Sequence, residues 1–190
     1  MASQVGCGDT INVDTKLEQD LVNCPDNGIV IGKDGITLDL NGHTVDGNDA
    51  LIRECPAGHI CDVGILDDGH AGVTVSGGRV KQFGTGVLVL TAKHVSLERL
   101  AASGNHFNGV LFVGSMQSRL VRSTVARNGL ETDFPGIAVV AESRRILIAD
   151  NISRQNADLG LFLTESDANR VVGNDFSNNP EAGMIVEGDA

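Results

Sequence analysis

Hydrophobic residues along this chain fall into short runs, each opened by a glycine and closed by polar residues. Seven such runs stand out: Gly28-Ile-Val-Ile, Gly64-Ile-Leu-Asp, Gly86-Val-Leu-Val, Gly109-Val-Leu-Phe, Gly136-Ile-Ala-Val, Gly160-Leu-Phe-Leu and Gly183-Met-Ile-Val. They recur at intervals of 36, 22, 23, 27, 24 and 23 residues. A unit that short cannot bury its own apolar side, so each copy must pack on the next in a stack of coils. Aligning the copies on glycine brings out further columns. Eleven residues on stand Val75, Leu97, Leu120, Leu147 and Val171; sixteen on stand Val80, Ala102, Val125, Ile152 and Phe176, with Val45 joining after an insertion. Nineteen on stand Phe83, Asn105, Asn128, Gln155 and Asn179. Three apolar columns separated by Gly, Asn and Ser predict three strands and three corners per coil. Each strand should pair with its equivalent about 4.8 Å along the axis. The amide column predicts a ladder at one corner, where Asn tolerates left-handed backbone. No 3.6-residue period runs through these units, which excludes a helical solenoid. The fold class is all-β: a single-stranded parallel β-helix of six to seven coils, right-handed by the usual crossover chirality.

Residues 1–27 read as an N-terminal cap and residues 28–190 as the solenoid. Thr15-Lys-Leu-Glu18 fits a helix capping box, with Leu17, Leu21 and Val22 as a short apolar face; an extended cap is the other reading. The sequence stops a few residues into a coil, and this end is expected to be truncated or covered by a partner. The opening Met1-Ala2-Ser3-Gln4 reads as a leader on a mature chain without a signal peptide.

Strand alternation makes a prediction about the outer surface. Residues one and three past each glycine should face inward, so those two past it, Val30, Leu66, Leu88, Leu111, Ala138, Phe162 and Ile185, should face out. Such a bare apolar ridge is rarely left exposed on a monomer and points to self-association, a homo-oligomer. The formal net charge of -11 argues against a nucleic-acid partner. No apolar run is long enough to span a bilayer. Aromatic residues make up 3% of the chain, all Phe, so the flat aromatic platforms common in sugar clefts are missing.

The four cysteines form two local pairs, Cys7 with Cys24 and Cys55 with Cys61, and sequence neighbourhood favours disulfides between them. The rival is a zinc site using His59, which lies inside the second loop. Disulfides imply an oxidising compartment, hence secretion or a periplasm. Cys7-Gly-Asp-Thr-Ile, Asn23-Cys24-Pro and the stretch Gly28 to Gly47 look like the opening of bacterial parallel β-helix proteins. Gly160-Leu-Phe-Leu followed by Asn169-Arg-Val-Val-Gly-Asn174 resembles the repeat of the NosD-like group within the pectate-lyase-like superfamily. The resemblance implies the fold, a secreted or periplasmic location and often a polysaccharide partner. It carries no activity, because that superfamily spans lyases, hydrolases, epimerases and inert shafts.

The search for chemistry yields fragments. Asp67-Asp68-Gly69-His70 with Arg79-Val-Lys81 imitates a pectin-hydrolase set, but it crowds into one coil, and adjacent aspartates should point to opposite faces. The chain has no tyrosine, which excludes the common epimerase arrangement; Lys33, Lys81 and Lys93 remain as bases without a matching cluster. No cofactor is called for, although Asp39, Asp46 and Asp49 are the nearest to a calcium site. Two long intervals mark loops at one corner, Asp46 to Asp62 and Gly129 to Pro135, and insertions on one edge of a solenoid often build its binding face. Candidate ligand-binding residues are Asp39, His43, Arg53, Glu54, His59, Glu131 and Asp133, together with Arg99 and Arg122, which could make a basic patch. The leading expectation is a secreted or cell-envelope module with a non-catalytic binding or structural role. The alternative is a polysaccharide-active protein working on acidic glycans in a loop-lined groove.

Overall fold

A computed structural model describes residues 5–52, 54–130 and 133–188. Nineteen strands form two sheets wound into a parallel β-solenoid of about eight turns. The first sheet takes one strand from each coil: Asp9–Ile11, Ile29–Ile31, Val63–Asp68, Thr85–Leu90, Val110–Val113, Ile137–Val140, Leu159–Thr164 and Ala182–Glu187. The second sheet has eleven strands and takes the other sides of the coils; in Thr74–Lys81 and Ser96–Ser103 one long strand spans both.

The seven glycines align. Ile29, Ile65, Val87, Val110, Ile137, Leu161 and Met184, each one past its glycine, are successive register partners. The column must be glycine for a steric reason. A Cβ on Gly86 or Gly160 would stand 2.5 Å from the carbonyl oxygen of the glycine one coil on, closer than any real contact. Inside the coils one continuous core runs from Ile11 through Ile65, Val89 and Phe112 to Leu163.

Four expectations are corrected. The segment Asp9–Cys24 is a first coil, with strands Asp9–Ile11, Thr15–Lys16 and Leu21–Cys24 stacked in parallel on the second, and no helix forms at Thr15. Strand pairing to the next coil outweighs a capping signal that has only a few residues of apolar face behind it. The coil count rises accordingly from six or seven to about eight. The columns also slip by one residue in a single coil. Val113 pairs with Val140, but Met116 pairs with Arg144, so one extra residue is absorbed at Ala141 and Glu142, both left-handed. Downstream, Ile148, Ser153 and Asn156 therefore hold the inward places assigned to Leu147, Ile152 and Gln155. Lastly, the outer ridge is not bare. Leu66, Leu88 and Ala138 are buried, while Val30, Leu111, Phe162 and Ile185 are half-buried. Outward residues stacked one coil apart shield each other, and Ile60, Leu90 and Val113 pack against Val63, Leu66 and Leu88.

Candidate functional site

Both disulfides form as paired in the sequence, Cys7–Cys24 and Cys55–Cys61, and no described cysteine is free. The second closes the loop inserted after the second coil. That loop is tied down at its end. Asn27 donates from Nδ2 to the Ile60 carbonyl and accepts the Val63 N–H, while Asp26 accepts the Asp62 N–H and meets His59 Nε2 at 2.7 Å. Between the loop and the outer face of the first sheet lies a groove of about 320 Å³, lined by Thr10, Asp26, Val30, His59, Leu66 and Asp68 among others. A larger hollow of about 490 Å³ is the end of the stack, lined mainly by residues Asp9 to Gln19. The groove is the better candidate. It is amphipathic, with an apolar floor and one carboxylate–imidazole pair at its rim, the usual composition of a small-ligand site.

The space between the two inserted loops is bridged. Asp49 of the first loop reaches His106 at 3.3 Å, and Phe134 of the second packs on Phe107 with ring centroids 4.8 Å apart. His106 and Phe107 belong to the corner between those loops, so it is engaged from both sides. Arg53 and Glu131 lie outside the described residues; Glu54 and Asp133 are exposed on their loops.

The other named residues are dispersed. His43 meets Asp20 at 3.1 Å, one coil back, where Asp20 also accepts the Thr44 N–H. That backbone bond first, and His43 second, hold the Asp20 carboxyl below its ordinary range. Asp39 accepts the Asn41 N–H and lies 3.9 Å from Lys16. Asp46 pairs with Lys81 at 2.9 Å. The three aspartates weighed for calcium thus face three different partners.

Asp67 and Asp68 point to opposite faces. Asp68 is exposed, whereas Asp67 is 2% exposed and sits in the inward file, in register with Val89. Its Oδ1 accepts the His70 N–H at 3.1 Å and meets His70 Nδ1 at 3.2 Å; its Oδ2 has no hydrogen-bond partner. Desolvation in the apolar interior pushes its pKa up to about 6 against the opposing pull of His70. A carboxyl aimed into the core cannot reach a solvent-borne substrate.

Arg99 and Arg122 occupy equivalent corners of adjacent coils, as the columns predict. What the sequence concealed is their shared anchor. Glu98 meets Arg122 at 3.2 Å and Arg99 at 3.5 Å, and Arg119, not singled out by sequence, approaches the same carboxylate at 2.5 Å. The Ser96 hydroxyl, donating to Glu98 at 2.8 Å, is foremost in keeping its pKa below the ordinary glutamate range. The signal available in the sequence was a separation of 21 and 24 residues between Glu98 and these arginines, close to one coil.

An all-parallel solenoid with one glycine corner and in-register files defines the class: a parallel β-helix protein. More narrowly, the chain belongs to the NosD family, described as periplasmic copper-binding protein, whose pattern matches residues 41–190. No curated protein matches the chain significantly in sequence. Two solved structures resemble it. The catalytic domain of Agl-KA is 16% identical with a TM-score of 0.55, covering 94% of this chain and 39% of that one. The A-module of an Azotobacter vinelandii mannuronan C-5 epimerase is 13% identical with a TM-score of 0.45, covering 94% and 55%. The chain thus spans well under two thirds of either, and the likeness to Agl-KA shows the fold alone.

Copper, which the family description implies, does not fit the donors present. Copper sites draw on thiolate, thioether and imidazole. All four thiols are oxidised to disulfides and so are lost as thiolate donors. Among the described residues no group of three or more His, Cys, Asp or Glu converges. Family and disulfides agree with a periplasmic or extracellular setting. Among the described residues no helix is long and apolar enough to cross a membrane.

Proposed function

We propose that this chain is a non-catalytic β-helix module of the periplasm or cell envelope, with a binding or structural role, and that it self-associates through the outer face of its first sheet. One observation carries the reading: an apolar outward file runs the length of that face from Val30 to Ile185, although the file beside it is polar at Asp68, Thr164 and Glu187. Beside the file from Val30 to Ile185 runs a second outward file that includes Leu90, Val113 and Val140, all half-buried. A second copy would remove from water the apolar area that Val30, Leu111, Phe162, Ile185, Leu90, Val113 and Val140 still expose, at roughly 25 cal/mol per Å². The acid–base groups support the same reading, since Asp20, Asp26, Asp49 and Asp67 are each spent on a histidine contact that fastens the chain to itself.

Sedimentation velocity over a concentration series tests this. Self-association is expected, and Leu111→Glu with Phe162→Glu should abolish it while leaving the far-ultraviolet circular dichroism unchanged. A wild-type chain that is monomeric throughout removes the association. The second reading, activity on acidic glycans, rests on the groove beside the Cys55–Cys61 loop with its Asp26–His59 pair. Unsaturated products released from a polyuronate, and lost in His59→Ala, would establish it against the first.

A further inference from the structure

The arginines around Glu98 are more numerous than their anchor requires. Three guanidinium groups share one carboxylate, and even with Asp150 beside Arg122 in the next coil the corner keeps a net positive charge, on a chain whose formal net charge is -11. Each guanidinium carries five N–H donors. The hydrogen bonds here use two from Arg119, to Ser96 and Glu98, and one each from Arg99 and Arg122. The remaining donors face water, because the three side chains are 52–59% exposed, whereas Glu98 beneath them is 15% exposed. Glu98 therefore serves to hold the forks in place rather than to neutralise them.

The backbone at this corner gives a second reason. Arg99 and Arg122 are left-handed, with φ of 50° and 51°. The same turn is made by Gly77 one coil before and by Asp150 and then Gly173 in the coils after. Left-handed backbone costs an ordinary side chain roughly 1 kcal/mol and glycine almost nothing. Arginine also holds left-handed corners at Arg127 and Arg145, but here it stands at the same corner in two successive coils. Asp150 closes the patch on the side of the next coil.

We propose that Arg99, Arg119 and Arg122, ordered by Glu98, form a binding site for a phosphate-type dianion at this corner of the second sheet. A carboxylate offers one charge and two oxygens. A phosphate monoester offers about two charges and three strong acceptor oxygens, one for each of the three forks. Guanidinium is also the side chain best suited to meet such an oxyanion through paired donors. The site uses neither the apolar face nor self-association, so it stands or falls apart from them.

The full chain can be titrated calorimetrically with inorganic phosphate at constant ionic strength in chloride. Phosphate should bind, and Arg99→Gln with Arg122→Gln should weaken it by about tenfold or more, the loss of one or two charge-assisted hydrogen bonds. Arg119→Gln, which keeps both left-handed residues, should weaken it similarly. The control, Arg144→Gln with Arg145→Gln, removes the same charge from another corner and should leave the affinity within about twofold. A parallel arm measures retention on vesicles containing phosphatidic acid, a phosphate monoester, and on vesicles of phosphatidylcholine alone. Retention on the first alone assigns the phosphate to a lipid headgroup, and calorimetric binding without retention assigns it to a soluble ligand; either supports the site. Absence of both, or equal losses in the control and the site variants, overturns it.

Discussion

The first three coils and the later ones are held together by different chemistry. Up to Lys81 the coils are irregular, with one interval of 36 residues, and their corners are fastened by two disulfides and by aspartate–histidine contacts that reach back to an earlier coil. Beyond Phe83 the spacing settles close to two dozen residues, and like stacks on like. Asn105 donates to Asn128, Asn128 to Asn156, and Asn156 to Asn179, while each Oδ1 also accepts a backbone N–H from the coil before. A second ladder runs through Ser123, Asn151 and Asn174. A carboxamide both donates and accepts, so identical amides can repeat without limit where the period is constant. In the coils before Phe83 an ion pair or a covalent link fastens the corners instead, whereas the second insertion, Gly129 to Pro135, leaves the ladder intact, with Asn128 still donating to Asn156.

If this contrast is right, the largest loss should come from the middle of the ladder. Asn128 is 0% exposed, accepts from Asn105, and donates to the Ala102 carbonyl and to Asn156. Asn128→Ala strands several buried polar groups at once and should cost about 4 kcal/mol, read from the urea midpoint. A loss under about 1 kcal/mol would mean the ladder is an ornament of the regular coils. Opening Cys7–Cys24 by serine substitution should cost about 3 kcal/mol, and opening Cys55–Cys61, with its shorter loop, about 2 kcal/mol. Equal midpoints for the two variants would contradict the loop-length argument.

Asp67 gives the next effect and a pH signature. An unfolded aspartate releases its proton near pH 4, whereas the buried one holds it to about pH 6. Between those values the folded state binds more protons, so this group lowers stability as pH rises from about 4 to 6 and contributes a constant cost above that. Asp67→Asn keeps an acceptor for the His70 N–H and removes the slope. It should raise stability at pH 7 by about 2–3 kcal/mol and change little at pH 4. An unchanged slope would locate the titration elsewhere. The smallest effect belongs to the Asp26–His59 pair, whose side chains are 42% and 44% exposed. His59→Gln should cost no more than about 1 kcal/mol, and salt should reduce even that.

Much of the architecture was legible because the repeat is written in short-range terms. Glycine, then inward, outward, inward, is a pattern of neighbours, and the register of Ile29 through Met184 followed from it. The first coil was hidden because its corner glycine, Gly8, is followed by Asp9 and Thr10 rather than by aliphatic residues, and Thr15-Lys-Leu-Glu18 reads equally well as a helix start. The candidate site was less legible. Arg99 and Arg122 could be placed in one column, but the convergence of Arg119 with them on Glu98 depends on strands one coil apart. His59 could be placed in a loop; its meeting with Asp26 depends on where that loop comes to rest.

The amino-acid order alone determined that this chain is a stack, the length of most coils and most of the side chains that line its interior, because alternation and corner residues act within a few positions of one another. Only the assembled rod decided which charges meet. A contact between coils depends on how many residues each corner absorbs, and one extra residue at Ala141–Glu142 was enough to shift every inward place that follows in that coil.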